Sequence, residues 1–479
     1  MSDCCNPIDG PQHKKYDLVV VGGGSAGFSA AITAAEQGAQ VAIFGAGTIG
    51  GTCVNVGCVP SKALIRAVES IHPANAAPMR FKGVDARART ADWGQLIAEK
   101  DALVSSLRQA KYADLLPLYN NITYREGTAR LVENGIEAGG RRFAADRIVI
   151  ATGARPAMPA IPGLADVDPL DSTAALDLTE LPKSMIVLGG GYVGVELAQM
   201  FSRAGVDVTL VFRSRLLPEM EPEIGAALTN YLSSEGITVL SNLAYQSVHK
   251  AAGGGTALTI LRDGNAETLV AERLLVATGR TPNVEDLGLI EAGVLQTPGG
   301  AIIVDDRMRT SLPGVYAAGD VTGRDQFVYM AAYGAKIAAK NALNGDSLRY
   351  DNSAMPAVVF SDPQVASVGF TEAQAIAAGY EARISTLSLE NVPRALAARD
   401  TRGLIKLVAD GRTRKLLGTH ILAPEGADSI QTAAMAIRCG LTIDDLAEMI
   451  FPYLTTVEGL KLAAQTFDRD VKMLSCCAG

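Results

Sequence analysis

The sequence predicts an α/β fold in which one strand–helix–strand unit occurs twice and an α+β domain follows toward the C-terminus. A short apolar run at residues 16–21 precedes a glycine-rich turn and an alanine-rich segment that extends to Glu36. The same order returns between Met185 and Phe212. Short apolar runs bounded by glycine are typical of buried parallel strands. After Pro356 the strands and helices continue without a glycine fingerprint, and the length of 479 residues suits about three domains.

The composition argues against several classes of function. The formal net charge of −8 predicts no broad basic face, so nucleic acid is not an expected partner. No run approaches the roughly 20 apolar residues of a membrane helix, and Asp3 with its polar neighbours stands where a signal peptide would be apolar. We therefore expect a cytoplasmic protein that acts on a small molecule and has no membrane partner.

Four of the seven cysteines form two close pairs, Cys53 with Cys58 and Cys476 with Cys477. Seven cysteines are too few for a secreted disulfide scaffold of this length, and an odd number cannot all pair within one chain. Reduced or catalytic thiols are therefore expected.

The other three cysteines carry weaker signals. Cys439 has apolar neighbours and is expected to be buried. Cys4 and Cys5 belong to a polar leader, where they could either capture a soft metal or be incidental.

The first glycine motif, Gly22-x-Gly24-x-x-Gly27, directly follows a predicted strand and opens a predicted helix. Glycines permit the tight turn and the close approach of the backbone to a ligand, and the helix N-terminus attracts a pyrophosphate. The motif predicts a Rossmann-like dinucleotide-binding domain, with a purely structural turn as the alternative. The acid that usually ends the second strand and binds ribose hydroxyls is absent, since Gly45 follows Phe44.

The second motif, Gly189-x-Gly191-x-x-Gly194, predicts a second domain of the same kind. Its second strand is followed by Arg213 and Arg215 instead of an acid. Guanidinium groups at this place suit the 2′-phosphate of NADPH, so NADPH is favoured over NADH. Alternatively, the two arginines are a solvated surface pair.

Cys53 and Cys58 stand five residues apart. Five residues of helix would span about 7.5 Å along the axis, so an uninterrupted helix is a poor host for a disulfide. Asn55 and Gly57 are expected to supply the local freedom for a distorted turn. Pro60 fits the first turn of a following helix, whose N-terminus would favour a thiolate. A reversible dithiol is predicted.

Residues 51–62, with the sequence Gly-Thr-Cys-Val-Asn-Val-Gly-Cys-Val-Pro-Ser-Lys, resemble the active-site signature of the flavin disulfide oxidoreductases. The resemblance covers nearly the whole chain, including both glycine motifs. It implies FAD in the first dinucleotide-binding domain, a nicotinamide cofactor in the second, and a homodimer whose active site is shared between subunits. The expected domains are an FAD-binding domain at 1–158 and 287–352, an NADPH-binding domain at 159–286 and a dimerisation domain at 353–479.

The resemblance also implies roles for individual residues. Cys58 should face the flavin ring while Cys53 faces the substrate, and Lys62 should lie beside the flavin and pair with Glu196. Outside the family, Glu196 would be a surface charge on a helix and Asp320 a strand-end cap. The residues that the resemblance assigns to FAD are Gly22, Gly24, Gly27, Thr52, Lys62, Gly153 and Asp320.

One histidine that disulfide-reducing members of this family use is absent. They carry His-Pro-x-x-x-Glu near the C-terminus, whereas the position five residues before Glu458 is Tyr453. Delivery of protons near neutral pH suits an imidazole and not a phenol, whose unperturbed pKa is about 10. Reduction of a thiolate-bound metal ion needs electrons and ligand exchange, without proton transfer to a substrate disulfide, and soft thiolates select soft metals.

Tyr453 and the terminal cysteine pair resemble those of the mercuric reductases, a branch of this family. The resemblance implies that Cys476 and Cys477 of one subunit take up Hg(II) as a thiolate complex and pass it to Cys53 and Cys58 of the partner. All four cysteines would then be metal ligands. NADPH would supply the electrons, through FAD, that convert Hg(II) to elemental mercury.

Tyr112 matches a second tyrosine that mercuric reductases place near the metal. Outside the family, Tyr112 would be an ordinary residue of an amphipathic helix and Tyr453 a packed core aromatic. Two rival functions also remain. A large thioredoxin reductase would use the terminal cysteines to reduce a protein disulfide, and a thiol metal buffer or zinc-stabilised protein would use four cysteines to close a tetrahedral site.

Overall fold

The computed structural model describes residues 16–474 of the chain, so Cys4, Cys5, Cys476 and Cys477 lie outside the described residues. The chain divides into two compact units. The first contains the described residues up to Pro60, then 101–155 and 280–350, and the second contains 61–100, 156–279 and the chain from Asp351 onward. Within residues 16–474 no helix has the length and the apolar content that crossing a bilayer requires.

The strands of residues 16–474 are three to eight residues long. They are β1 Leu18–Val21, β2 Val41–Gly45, β3 Ile122–Glu126, β4 Ala129–Val132, β5 Gly135–Ala138, β6 Arg141–Ala144, β7 Ile148–Ile150, β8 Ala154–Pro156, β9 Ser184–Leu188, β10 Asp207–Val211, β11 Thr238–Leu240, β12 Leu243–Lys250, β13 Thr256–Arg262, β14 Asn265–Ala271, β15 Arg273–Val276, β16 Arg280–Pro282, β17 Val315–Ala317, β18 Ala357–Val359, β19 Gln364–Gly369, β20 Ala382–Ser388, β21 Leu404–Asp410 and β22 Leu416–Ala423.

The α-helices of the same described range are α1 Ser25–Ala35, α2 Gly51–Asn55, α3 Cys58–Glu69, α4 Ile71–Arg80, α5 Trp93–Arg108, α6 Ser172–Leu176, α7 Tyr192–Ala204, α8 Pro222–Ser234, α9 Val328–Asn344, α10 Glu372–Ala377, α11 Pro393–Ala398, α12 Gly426–Cys439, α13 Ile443–Glu448 and α14 Glu458–Gln465. Of these helices, α1 and α7 follow the two glycine motifs, and α2 and α3 lie in the cysteine segment.

The main sheet of the first unit is parallel, in the order β17-β7-β1-β2-β3. All four residues of β1 are buried, because a parallel sheet is covered on both faces and its strands are therefore continuously apolar. In the register, Val20 lies beside Ile43 on one side and Val149 on the other. Strand β17 pairs with β7, so the part of the chain after residue 280 contributes a strand to this sheet. The α1 helix, which follows the first glycine motif, packs against α9.

The second unit contains a parallel sheet in the order β11-β10-β9-β15 and an antiparallel sheet in the order β12-β13-β14. Helix α7 follows β9 and the second glycine motif, as predicted, and Gly205 caps its C-terminal end with a left-handed φ of 112°. The run 253–255 forms the hairpin turn between β12 and β13. The strand–helix–strand order predicted from both motifs is thus confirmed.

The C-terminal part of the second unit is built on an antiparallel sheet in the order β18-β19-β22-β21-β20, with α12 and α14 packed against it. A hydrophobic core that includes Ile405, Leu407, Ile421 and Leu460 joins the sheet to the helices. The predicted α/β class with a C-terminal α+β part is confirmed. The expectation that Cys439 is buried is wrong, because it is the last residue of α12 and its side chain is exposed.

Candidate active site

The inner cysteines lie at a junction between two helices of the cysteine segment. Cys53 belongs to α2 and Cys58 is the first residue of α3, with Val56 and Gly57 between the helices. The prediction that one continuous helix does not contain both is confirmed. Pro60 lies in the first turn of α3, where a missing N–H sacrifices no hydrogen bond. Both cysteines are half-buried, and the helix N-terminus at Cys58 favours negative charge.

Asn55 fixes this junction, so the expectation that Asn55 and Gly57 loosen it is wrong. The Asn55 Nδ2 donates to the carbonyl oxygens of Ile49 at 2.9 Å and Gly51 at 2.8 Å, and its Oδ1 accepts from Arg108 Nη1 at 3.1 Å. A Cβ on Gly57 would lie 3.0 Å from a backbone oxygen of α2. Close packing against α2, and not backbone freedom, therefore favours glycine there.

Tyr112 is the aromatic residue that the first unit brings to this junction. It lies in the π-helical turn Gln109–Ala113, which continues α5. Its hydroxyl is 3.0 Å from the Ser25 Oγ, and its ring meets the Phe28 ring edge-on with 5.0 Å between centroids. Tyr112 is therefore not an ordinary residue of an amphipathic helix. No sequence pattern indicates a role for Ser25, although this serine lies inside the first glycine motif.

The electrostatic surroundings of Tyr112 include both inner cysteines. Burial raises the pKa of Tyr112, the hydrogen bond with Ser25 lowers it, and negative charge on Cys53 and Cys58 raises it further. The net shift is upward from the ordinary value of about 10. The hydroxyl is consequently protonated at neutral pH and close enough to respond to thiolate charge.

Lys62 and Glu196 form an ion pair within the second unit. The Lys62 Nζ lies 2.5 Å from Glu196 Oε2, and the other carboxylate oxygen accepts the Phe360 N–H at 2.9 Å. The Glu196 side chain is 7% exposed, so it is not a surface helix charge. Lys62 follows Cys58 by one turn of α3, which connects this ion pair to the dithiol segment through a single helix.

The two glycine motifs have the shape that a pyrophosphate site requires. A Cβ on Gly27 would lie 1.9 Å from the carbonyl oxygen of Gly22, and a Cβ on Gly194 would lie 1.9 Å from that of Gly189. A side chain at either place would separate the helix from the preceding turn. A Cβ on Gly191 would meet no atom within 4 Å, so this glycine borders open space at the N-terminus of α7. These residues fit a dinucleotide.

The remaining residues predicted to bind FAD also belong to the first unit, except Lys62. Gly24 caps α1 and Thr52 lies in α2. Gly153 follows β7 with a φ of +72°, and a Cβ there would meet no atom within 4 Å. Asp320 begins a short 3₁₀ helix after β17 and pairs with Arg280 at 3.3 Å. Burial raises the pKa of Asp320 and the Arg280 charge opposes the rise.

Arg213 and Arg215 differ in their surroundings at the end of β10. The Arg213 side chain is exposed. The Arg215 guanidinium donates to the carbonyl oxygens of Met220 at 2.8 Å, Leu217 at 3.4 Å and Pro218. Arg215 therefore stabilises the loop that follows, and the reading of both arginines as a solvated surface pair is wrong for Arg215.

Tyr453 and Glu458 lie before and at the start of α14. Tyr453 is 52% exposed, which excludes a packed core aromatic within this chain. Glu458 is 7% exposed, and its carboxylate accepts the N–H of Leu454 at 3.1 Å. Burial raises the pKa of Glu458. The acid thus fixes the backbone beside Tyr453.

Comparison with protein families gives two matches that together cover most of the chain. Residues 16–338 match the pyridine nucleotide-disulphide oxidoreductase model, and residues 355–464 match the dimerisation domain of the same family.

Curated relatives with high similarity include several mercuric reductases. That of Streptomyces lividans is 47% identical over 98% of this chain and 99% of the relative. That of Shigella flexneri is 48% identical over 96% of this chain and 82% of the relative. That of Lysinibacillus sphaericus is 46% identical over 97% of this chain and 85% of the relative.

Two solved structures share the fold. A Cu(II) complex of the HOCl-induced flavoprotein disulfide reductase RclA from Escherichia coli superposes with a TM-score of 0.83 at 30% identity, covering 95% of this chain and 99% of that one. LpdA from Mycobacterium tuberculosis gives a TM-score of 0.83 at 26% identity, covering 94% of this chain and 100% of that one.

Proposed function

This chain belongs to the pyridine nucleotide-disulphide oxidoreductase family, and from that premise we propose that it is an NADPH-dependent flavoenzyme that reduces thiolate-bound Hg(II) to elemental mercury. Relatives named mercuric reductase, between 43% and 48% identical over nearly the full chain, support the choice of substrate. The observation that carries the proposal is the position of Cys53 and Cys58 at the junction of α2 and α3, with the Tyr112 ring packed against Gly50 just before α2.

The family implies a flavin and a pyridine nucleotide, which we propose to be FAD in the first unit and NADPH in the second. The glycine motif at the start of α1, with Thr52, Gly153 and Asp320, would hold FAD, and Lys62 would lie beside it. The glycine motif at the start of α7, with Arg213, would hold NADPH. When bound, FAD supplies the path for two electrons from NADPH to the dithiol.

Cys53 and Cys58 would bind the metal ion as a pair of thiolates. Sulfur ligands are matched to a soft ion such as Hg(II), and the helix N-terminus at Cys58 stabilises the anionic form of the ligand. Cys476 and Cys477 of the partner subunit in a homodimer would deliver the ion. Transfer from one dithiol to the other keeps two strong sulfur contacts throughout, so the ion is never released to water.

Tyr112 would donate a hydrogen bond to an inner thiolate and so orient it toward the metal. A protonated phenol is a donor at neutral pH but a poor acceptor of thiol protons. The described residues of the first unit contain no histidine, and the position five residues before Glu458 carries Tyr453. This chemistry suits reduction of a metal ion, in which Hg(II) gains two electrons and no proton enters the product.

The Lys62–Glu196 ion pair and Tyr453 would act at the edges of this site. Glu196 holds the Lys62 ammonium in one orientation, since its second oxygen is fixed by the Phe360 N–H. Lys62 would therefore present a fixed positive charge to the flavin. Glu458 would position Tyr453 through the backbone of Leu454 so that the phenol faces the partner subunit's inner cysteines.

The function is tested by measuring anaerobic NADPH oxidation with two acceptors, Hg(II) in excess thiol and oxidised thioredoxin. We expect turnover with Hg(II) and one atom of mercury vapour per NADPH consumed. Turnover with thioredoxin alone would assign the chain to the disulfide reductases, and colourless protein that holds stoichiometric zinc would assign it to the metal buffers.

A further inference from the structure

The Lys62–Glu196 ion pair has a third partner, the aromatic ring of Phe360. The Lys62 Nζ lies over this ring, 5.0 Å from its centroid, while it contacts Glu196 Oε2 at 2.5 Å. An ammonium within about 6 Å of a ring centroid is attracted by the negative face of the ring. Phe360 therefore contacts Lys62 through its ring and Glu196 through its N–H, which donates at 2.9 Å.

The segment that carries Phe360 is fixed to α7. Gln199 Oε1 accepts the N–H of Asp362 at 2.8 Å, and Gln199 Nε2 donates to the Asp362 carbonyl oxygen at 2.8 Å. Gln199 is 4% exposed and follows Glu196 by three residues, so one face of α7 holds both ends of the segment from Phe360 to Asp362. The fold thus determines where the Phe360 ring lies.

The Lys62 side chain is accessible to a ligand. It is 31% exposed, and Lys62, Glu196 and Phe360 line the same cavity of about 180 Å³. A lysine has a flexible four-carbon chain, and an accessible ammonium exchanges readily between a partner and water. Glu196 supplies one contact that opposes this exchange, and the Phe360 ring supplies a second.

We propose that Phe360 is a positioning residue for the reaction, whose ring keeps the Lys62 ammonium beside the flavin and so raises the midpoint potential of the bound flavin. The inference rests on the proposed function, in which Lys62 lies beside FAD. Two electrons bring negative charge to the flavin, and a cation held nearby stabilises that charge. Phe360 lies in the segment 355–464 that matches the dimerisation domain, so this domain would influence electron transfer within its own subunit.

The size of the effect is limited by the strength of the contact between the ring and the ammonium. A contact can shift an equilibrium only by the difference in its free energy between the two states. For a partly exposed ammonium over an aromatic ring, this limit is about two- to fivefold in the equilibrium constant for reduction of the flavin. For a two-electron couple, that change is about 10–20 mV. A ring that only packs the interior would change the stability of the protein and leave the potential unchanged.

The experiment measures the midpoint potential of the flavin in the holoenzyme by anaerobic titration against a reference dye, followed by the flavin absorbance. All variants also carry Cys53→Ala and Cys58→Ala, so that the inner dithiol cannot exchange electrons with the flavin. Phe360→Leu and Phe360→Met remove the ring, and each should lower the potential by about 10–20 mV. Phe360→Tyr keeps an aromatic face under the ammonium and should preserve the potential.

Two further variants separate positioning from packing. Phe370→Leu is the matched control, because Phe370 is 38% exposed and its ring packs against the Tyr380 ring, 5.8 Å away between centroids, so the potential should not change. Lys62→Met removes the ammonium. In that background, Phe360→Leu should cause no further decrease, since the ring acts on the flavin only through Lys62.

The outcomes distinguish this inference from the proposed function. An unchanged potential in both Phe360→Leu and Phe360→Met, or a decrease of the same size with and without Lys62, would overturn the role of Phe360 and leave the proposed function intact. The expected shifts in a protein that releases no mercury would support the role of Phe360 and overturn the proposed substrate. A wild-type protein that contains no flavin would overturn both.

Discussion

Replacing Tyr112 by phenylalanine removes one hydroxyl from the candidate site and keeps the ring. The edge contact with Phe28 remains, so the folding cost is limited to one partly buried hydrogen bond with Ser25, about 0.5–1.5 kcal/mol. A hydrogen bond to a charged group is worth more, about 1.5–3 kcal/mol. Because Tyr112 is only half-buried, we take the lower part of that range, which corresponds to a decrease of about 10- to 30-fold in kcat/KM for Hg(II).

The assay compares NADPH-dependent mercury release with NADPH oxidation by ferricyanide, which takes electrons from the flavin without the dithiol. Tyr112→Phe should slow only the first reaction. Ser25→Ala is the control, because it removes the partner of the hydroxyl and keeps the hydroxyl itself, and its effect should be smaller. Equal rates of mercury release in wild type and Tyr112→Phe would refute the role given to this hydroxyl.

The pH dependence follows from the direction of the Tyr112 shift. Its pKa is raised in the folded protein, so the protonated form contributes stability that is fully present below the unfolded pKa of about 10 and is lost as pH rises through the folded pKa. The ratio of wild-type to Tyr112→Phe activity should therefore be constant from about pH 6 to pH 9. A ratio that titrates within this window would report ionisation of Tyr112 or of the inner thiols that accept its hydrogen bond, and would contradict a hydrogen bond that is unchanged over this range.

Four further substitutions test the surrounding structure. Lys406→Met should lower the free energy of unfolding in urea by about 3–5 kcal/mol, because Lys406 is 1% exposed and its loss leaves the carboxylate of Glu221, 3.0 Å away, buried without its cation. Arg213→Ala should raise KM for NADPH and not for NADH, whereas Arg215→Ala should mainly lower thermal stability, since its guanidinium holds loop carbonyls. Gly191→Ala should leave the fold intact, because its Cβ meets no atom within 4 Å, and should raise KM for NADPH at least about tenfold.

For three of these substitutions, one outcome would contradict the prediction. A stability loss below about 1 kcal/mol in Lys406→Met would mean that Glu221 finds water or another partner. Equal changes in KM for NADPH and NADH in Arg213→Ala would contradict a contact between Arg213 and the 2′-phosphate of NADPH. An unchanged KM for NADPH in Gly191→Ala would mean that no ligand approaches the N-terminus of α7.

Local patterns were sufficient to predict the elements that carry the site. The apolar run of β1 and the glycine motif after it determine a buried parallel strand and a tight turn within a few residues. The break between α2 and α3 followed from the reach of a disulfide across five residues. These predictions succeeded because each depends on residues that are neighbours in the chain.

The features that the sequence analysis missed depend on distant residues or on side-chain orientation. Ser25 and Tyr112 are 87 residues apart, and only the packed first unit brings them together. The side chain of an asparagine in a turn can leave the backbone free or hydrogen-bond to it. Asn55 donates to two backbone carbonyl oxygens and accepts from Arg108, so it stabilises the turn. Likewise, Gly45 alone indicates a missing acid, but not that Tyr124 from the next strand occupies its space.

The most direct test of the proposed dithiol mechanism is an anaerobic measurement of mercury vapour after one equivalent of NADPH and then Hg(II) are added to wild type, Cys58→Ala and Cys439→Ala. Cys439 is exposed at the end of α12 and serves as the matched control. We predict one mercury atom per NADPH from wild type and Cys439→Ala, and no vapour above the thiol background from Cys58→Ala. Undiminished vapour from Cys58→Ala would contradict reduction at the inner cysteine pair.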